Sequence, residues 1–102
     1  MDRIKGLKIL GYNYDVCYSP PRDDGGMESA GRCSTGKQVV LIDPLQCKQA
    51  QESTLLHEVI EVLNYHLELG LGHQTIMALE AGLYTVFTDN GINVGVLISE
   101  EK

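Results

Sequence analysis

The segment Leu55-Leu56-His57-Glu58-Val59-Ile60-Glu61-Val62-Leu63 constrains the fold more than any other part of the chain. Leu56, Val59, Ile60, Leu63 and Leu67 recur at three- and four-residue spacing, the period of one helix face. Leu55, Val62 and Leu69 widen that stripe until it covers much of the circumference. Such a helix must be surrounded, so it predicts a central element with other structure packed round it. The same segment carries His57, Glu58 and Glu61. Two carboxylates and a His on a helix are often just a solvated face. Here they sit among apolar neighbours, where an unpartnered charge is costly and a partner such as a metal ion is called for.

His57 and Glu61 are one helical turn apart and about 40° apart round the axis, so both can grip one ion. H-E-x-x-H zinc sites use this geometry. Here Glu61 stands at the second ligand position, and carboxylate oxygen is an ordinary zinc ligand. Glu58 is placed to act as general base, taking a proton from water that the metal has acidified. A catalytic zinc needs a third protein ligand. His73 follows the tight turn Gly70-Leu71-Gly72 and reaches the His57–Glu61 face if that turn makes an antiparallel helix pair. His66 lies about 180° round the helix from His57 and is read as a surface or capping residue. Glu80 shares a face with His73 two turns on; it is read as a supporting partner, with direct coordination as the alternative.

A chain of 102 residues is expected to form one domain. Residues 7–18 read as a strand with Gly11 as a bulge, and 19–26 as a loop. Residues 29–34 read as a short strand, and 34–37 as a hairpin turn in which Gly36 supplies positive φ. A strand is expected over 38–43. Asp43 then reads as an N-cap, Pro44 as the first helical residue and Gln46 as a capping-box partner, opening a helix over 44–69. Ser53-Thr54 is where that helix would bend. A second helix is expected over 73–88, with Ile76, Leu79, Leu83 and Val86 or Phe87 as its core face. Residues 92–99 alternate like a strand, which could extend the sheet or join two copies of the chain into a homo-oligomer.

Charge narrows the function. The net charge is -6, and Lys48 is the last basic residue before Lys102, with eight acidic residues between them. Nucleic-acid binding needs clustered cations, so the C-terminal half is not expected to bind DNA or RNA, and a helix-turn-helix over 55–88 is disfavoured. Cys17, Cys33 and Cys47 make an odd count with no C-x-x-C pair. Reduced thiols in a cytoplasmic protein are the expectation, rather than a disulfide framework or a thiolate knuckle. No leader and no long apolar run are read, so no signal peptide or membrane span is expected.

Residues 31–63 resemble the small gluzincin-type metallopeptidase domains of phages and mobile elements, the ImmA/IrrE-like and SprT-like groups. In those domains a strand ending in an I-x-I-D-like stretch leads into a helix carrying T-L-L-H-E-x-x-H. Here the matching stretches are Leu41-Ile42-Asp43 and Thr54-Leu55-Leu56-His57-Glu58. Residues 64–90 resemble the continuation in a phage-type subgroup, ending G-L-Y-x-V-x-x-D-N. This chain departs twice: Glu61 stands where the second His is usual, and His73 where a Glu is usual. The two departures together exchange the ligand order and keep the ligand types and charge.

The resemblance implies an α+β fold of the minimal zincin-like kind, a small antiparallel-rich sheet packed against two helices. It implies one zinc ion per chain on His57, Glu61 and His73, with Glu58 catalytic. It also implies a peptide or protein substrate held extended beside an edge strand. Tyr12, Tyr14, Tyr18, Tyr65 and Tyr84 are equal candidates for stabilising an oxyanion. The competing expectation is a metal-stabilised interaction module of a phage or mobile element that binds a partner without cutting it.

Overall fold

In the computed structural model, residues 2–20, 23–24, 27–28 and 31–99 are described. Four strands make one mixed sheet: β1 (Asp2–Ile9), β2 (Tyr12–Tyr18), β5 (Gly31–Ser34) and β6 (Val39–Ile42), in the order β1-β2-β6-β5. A separate two-stranded ladder joins β3 (Asp23–Asp24) to β4 (Met27–Glu28). Two helices follow, α1 (Lys48–Leu67) and α2 (His73–Asp89), and then a 3-10 turn, Val94–Leu97. The class is α+β. The β1–β2 and β5–β6 pairs are antiparallel, and β2–β6 is parallel.

The stretch 7–18 is not one strand. Leu10 and Gly11 form a two-residue turn, with Ile9 paired to Tyr12 and φ of 54° and 84° at the two turn residues. Positive φ at both positions is what a twisted hairpin of this length requires. Gly11 is therefore a turn residue and not a bulge. In the second hairpin Ser34 pairs with Val39, and the positive φ falls on Gln38 (55°) instead of Gly36. Within the loop expected over 19–26, β3 pairs with β4 just beyond it, and Ser19 donates its N–H to the Ile42 carbonyl; residues 21, 22, 25 and 26, and the first two residues of the strand expected over 29–34, lie outside the described residues.

α1 begins later than the Asp-Pro signal suggests. The Asp43 carboxylate accepts from the Leu45 N–H, and the Gln46 side chain donates to the Asp43 carbonyl. Asp43-Pro44 therefore closes a turn on itself, and Cys47 precedes the helix without a side-chain cap. α1 runs unbroken through Ser53 and Thr54. Its end is a 6→1 and 5→2 pair of backbone bonds, from Leu69 to Asn64 and from Glu68 to Tyr65, with Glu68 at φ 51°. Asn64 then clamps the turn: its side chain donates to the Leu71 carbonyl and accepts from the Leu71 N–H. That clamp sets where His73 starts α2.

One face of the sheet supplies Tyr14, Val16, Val40 and Ile42, which pack with Leu55 and Val62 of α1, with Ile4 and Ile9 of β1, and with Ile98. Full burial of a side chain of this size contributes about 1.5–3 kcal/mol. Leu56 and Ile60 turn the other way and meet Ile76, flanked by Leu71, Tyr84 and Phe87. α1 is thus covered by the sheet on one side and by α2 on the other, as its wide apolar stripe demands. α2 is rotated from the expected face: Leu79, Leu83 and Val86 remain 41%, 37% and 53% exposed, and Ile76, Tyr84 and Phe87 face α1.

The segment 92–99 is not a strand. The Asn93 side chain accepts from the Gly95 N–H and starts a 3-10 turn, which buries Val94, Gly95 and Ile98. The side chain of Glu52 lies beside Gly95, where a Cβ would come within 2.7 Å of its Oε2. The strand through which association between copies was expected is therefore not formed. No helix among the described residues is long and apolar enough to cross a membrane.

Candidate metal centre

Ser53, His57 and Glu61 stand in a row on α1, each one turn from the next, on the flank that faces α2. The antiparallel return of the chain brings His73 and Glu80 of α2 onto that row. One donor atom from each of His57, Glu61 and His73 lies within 4.8 Å of the other two. His57 Nε2 is 3.5 Å from Glu61 Oε2. The His57 and His73 rings meet edge-on, with centroids 5.5 Å apart. Donors bound to one tetrahedral zinc at about 2.1 Å are themselves about 3.4 Å apart. The His57–Glu61 pair already has that spacing, and a donor nitrogen of exposed His73 lies within 4.8 Å of both.

Glu80 is not in that trio. Its Oε1 is 2.8 Å from His57 Nδ1, and its Oε2 accepts from the Ser53 hydroxyl. A carboxylate on Nδ1 fixes the ring so that Nε2, on the other side, faces Glu61. This carboxylate–imidazole pairing is what orients and strengthens a metal-binding His. Ser53 was missed from the sequence, although it lies four residues before His57, the spacing that would have marked it.

Glu58 points into the space between α1 and β5. It is buried, and the Cβ of any residue replacing Gly31 would stand 3.1 Å from its Oε2. The Cys33 thiol donates to its carboxylate. Burial pushes the Glu58 carboxyl above the usual range; His57 and the Cys33 hydrogen bond pull against that, and Glu61 and Glu80 add to it. Burial first, then the Glu58 charge, lifts the Cys33 thiol to about 12. Glu58 is thus a buried carboxyl, next to His57 in the chain and held by the Cys33 thiol, with its proton affinity raised.

Two carboxylates, Glu61 and Glu80, lie against His57, and a third, Glu58, adds its charge from the β5 side of α1. No Lys or Arg lies between Lys48 and Lys102 to neutralise them from these helices. The donor set, two imidazole nitrogens and one carboxylate oxygen, fits a divalent transition metal, zinc foremost, and such a cation would offset the surplus charge.

Searches against protein-family models, curated proteins and solved structures returned no match to this chain.

The other histidine is remote. His66 Nε2 is 2.7 Å from the hydroxyl of buried Tyr14, and Tyr12 stacks on its ring at 4.4 Å. The tyrosines considered for an oxyanion are occupied in other contacts. Tyr12, Tyr14 and Tyr65 surround His66, Tyr18 donates to Gln51, and Tyr84 donates to Glu52.

Proposed function

We propose that this chain is a zinc-dependent metallopeptidase-like protein of the cytoplasm that hydrolyses peptide bonds. The observation that carries the proposal is the trio His57, Glu61 and His73, backed at His57 Nδ1 by Glu80 and flanked by the buried carboxyl of Glu58. The metal, when bound to the trio, would act as a Lewis acid on the scissile carbonyl and on water. The chain's own residues do the rest. Glu80 and Ser53 hold the His57 ring in one orientation. Glu58, its carboxyl pushed up by burial, accepts a proton from the attacking water and returns it to the leaving amine. His73, exposed at the start of α2, leaves the trio open to solvent on that side.

A second reading is a metal-stabilised interaction module of a phage or mobile element, with a peptide or protein as partner rather than substrate. It is favoured by the five tyrosines, each engaged away from the trio, so that none of them is placed to stabilise an oxyanion there. One experiment separates the two. Zinc-loaded protein is incubated with denatured casein, and new peptide termini are read by mass spectrometry, alongside the Glu58→Gln variant and a chelator-treated sample. The enzyme reading expects new termini from the zinc-loaded wild type alone. Termini in none of the three, with zinc bound, support the module.

A further inference from the structure

β5 is one of the two edge strands of the four-stranded sheet, β1 being the other, and its two faces differ in charge. Gly31 and Cys33 face α1 and the carboxyl of Glu58. Arg32 and Ser34 alternate to the opposite face of the sheet. There a cavity of about 530 Å³ is lined by Ser19, Arg32, Ser34, Lys37, Val39 and Leu41, together with Pro20 and part of Cys33. Val39 and Leu41 provide an apolar floor; Arg32, Lys37, Ser19 and Ser34 provide polar donors. Arg32 Nη2 reaches Ser19 Oγ at 3.2 Å, which holds the guanidinium over the groove. Among the described residues, two cations and no carboxylate line this groove, in a chain whose net charge is -6.

We infer that this groove selects an acidic side chain of a peptide lying extended along the outer edge of β5. The inference rests on the peptide-binding reading above and adds a substrate class to it. A strand added to β5 sends alternate side chains to opposite faces of the sheet. Those on the side of α1 meet Glu58 and the proposed metal trio. Those on the other side lie next to Arg32 as cross-strand partners, where an Asp or Glu gains a charge-assisted hydrogen bond and a Lys or Arg is repelled. The preferred peptide is therefore alternating, with carboxylates on the face turned away from the metal.

The test uses two fluorescein-labelled peptides, Thr-Glu-Thr-Glu-Thr-Glu and Thr-Gln-Thr-Gln-Thr-Gln, titrated with zinc-loaded protein and read by anisotropy. The acidic peptide should bind about tenfold more tightly or better, the scale of one charge-assisted bond. The preference should fall to about twofold or less in Arg32→Gln/Lys37→Gln, whose melting curve checks the fold, and backbone amide shifts should centre on Arg32 and Ser34. Equal binding of the two peptides, no binding of either, or a preference that survives the double substitution would overturn the inference. Binding with the expected preference but without hydrolysis would leave it standing and count against the peptidase reading. Hydrolysis without charge preference would do the reverse.

Discussion

His57 Nδ1 and Glu80 Oε1 are 2.8 Å apart, on two helices joined by a clamped turn. Among the contacts of the described residues, Glu80 therefore touches the proposed metal trio only through the His57 ring. Replacing it by Gln, nearly the same shape, removes the charge and weakens the acceptor. Zinc affinity should fall about 10- to 100-fold, the usual effect of losing such a partner. Competition with a chelating dye at fixed pH measures this, and an unchanged affinity would show that the contact does not tune His57.

Glu58→Gln should retain zinc and the fold, because Gln keeps the shape and can still accept from Cys33. Any hydrolytic activity should disappear, since the amide cannot take a proton from water. Hydrolysis at the wild-type rate in this variant would remove Glu58 from the mechanism.

How far the sequence disclosed these contacts depended on what fixed each one. His57 and Glu61 follow from helical period alone, which one helix carries within itself. The partnership of Glu80 depends on how α2 is rotated about its axis, and the apolar pattern misleads there. Leu79, Leu83 and Val86 form the more regular stripe, yet the face against α1 contains Glu80 and Tyr84. Their polar ends are satisfied by Ser53, His57 and Glu52. Polar pairs of this kind carry no periodic signal. The segment 92–99 shows the same limit: β-rich residues were turned into a 3-10 turn by one Asn93 side chain and the space beside Glu52.

The close approach of β5 to α1 predicts a clash. A Cβ on Gly31 would overlap the Thr54 methyl group and crowd the Glu58 carboxylate. Gly31→Ala should therefore lower stability by about 1–3 kcal/mol, the range for overpacking. Thr54→Ser removes the methyl and keeps the hydroxyl that donates to Gln46. The pair Gly31→Ala/Thr54→Ser should recover part of the loss in a denaturant melt. Simple additivity of the two changes would mean that the residues do not meet.

The thiols should differ in reactivity. Only a thiolate is alkylated, and Cys33, lifted to about 12, is almost wholly protonated at neutral pH. Exposed Cys47 should react first with iodoacetamide, and Cys33 should lag. The sign of the stability effect follows. The Cys33 pKa is higher folded than unfolded, so its contribution is intact below about pH 9 and is lost as the pH climbs towards 12. Peptide mass mapping after timed alkylation should show this order, and Cys33 labelling as fast as Cys47 would contradict it.

Elemental analysis of zinc-reconstituted, desalted protein tests the central claim most directly. Wild type should hold close to one zinc per chain. His57→Ala and His73→Ala should lose most of it while keeping their helical circular dichroism, and His66→Ala, on the far side of α1, should keep it. No bound zinc in wild type, or full zinc retention in both His57→Ala and His73→Ala, would contradict a metal centre built on His57, Glu61 and His73.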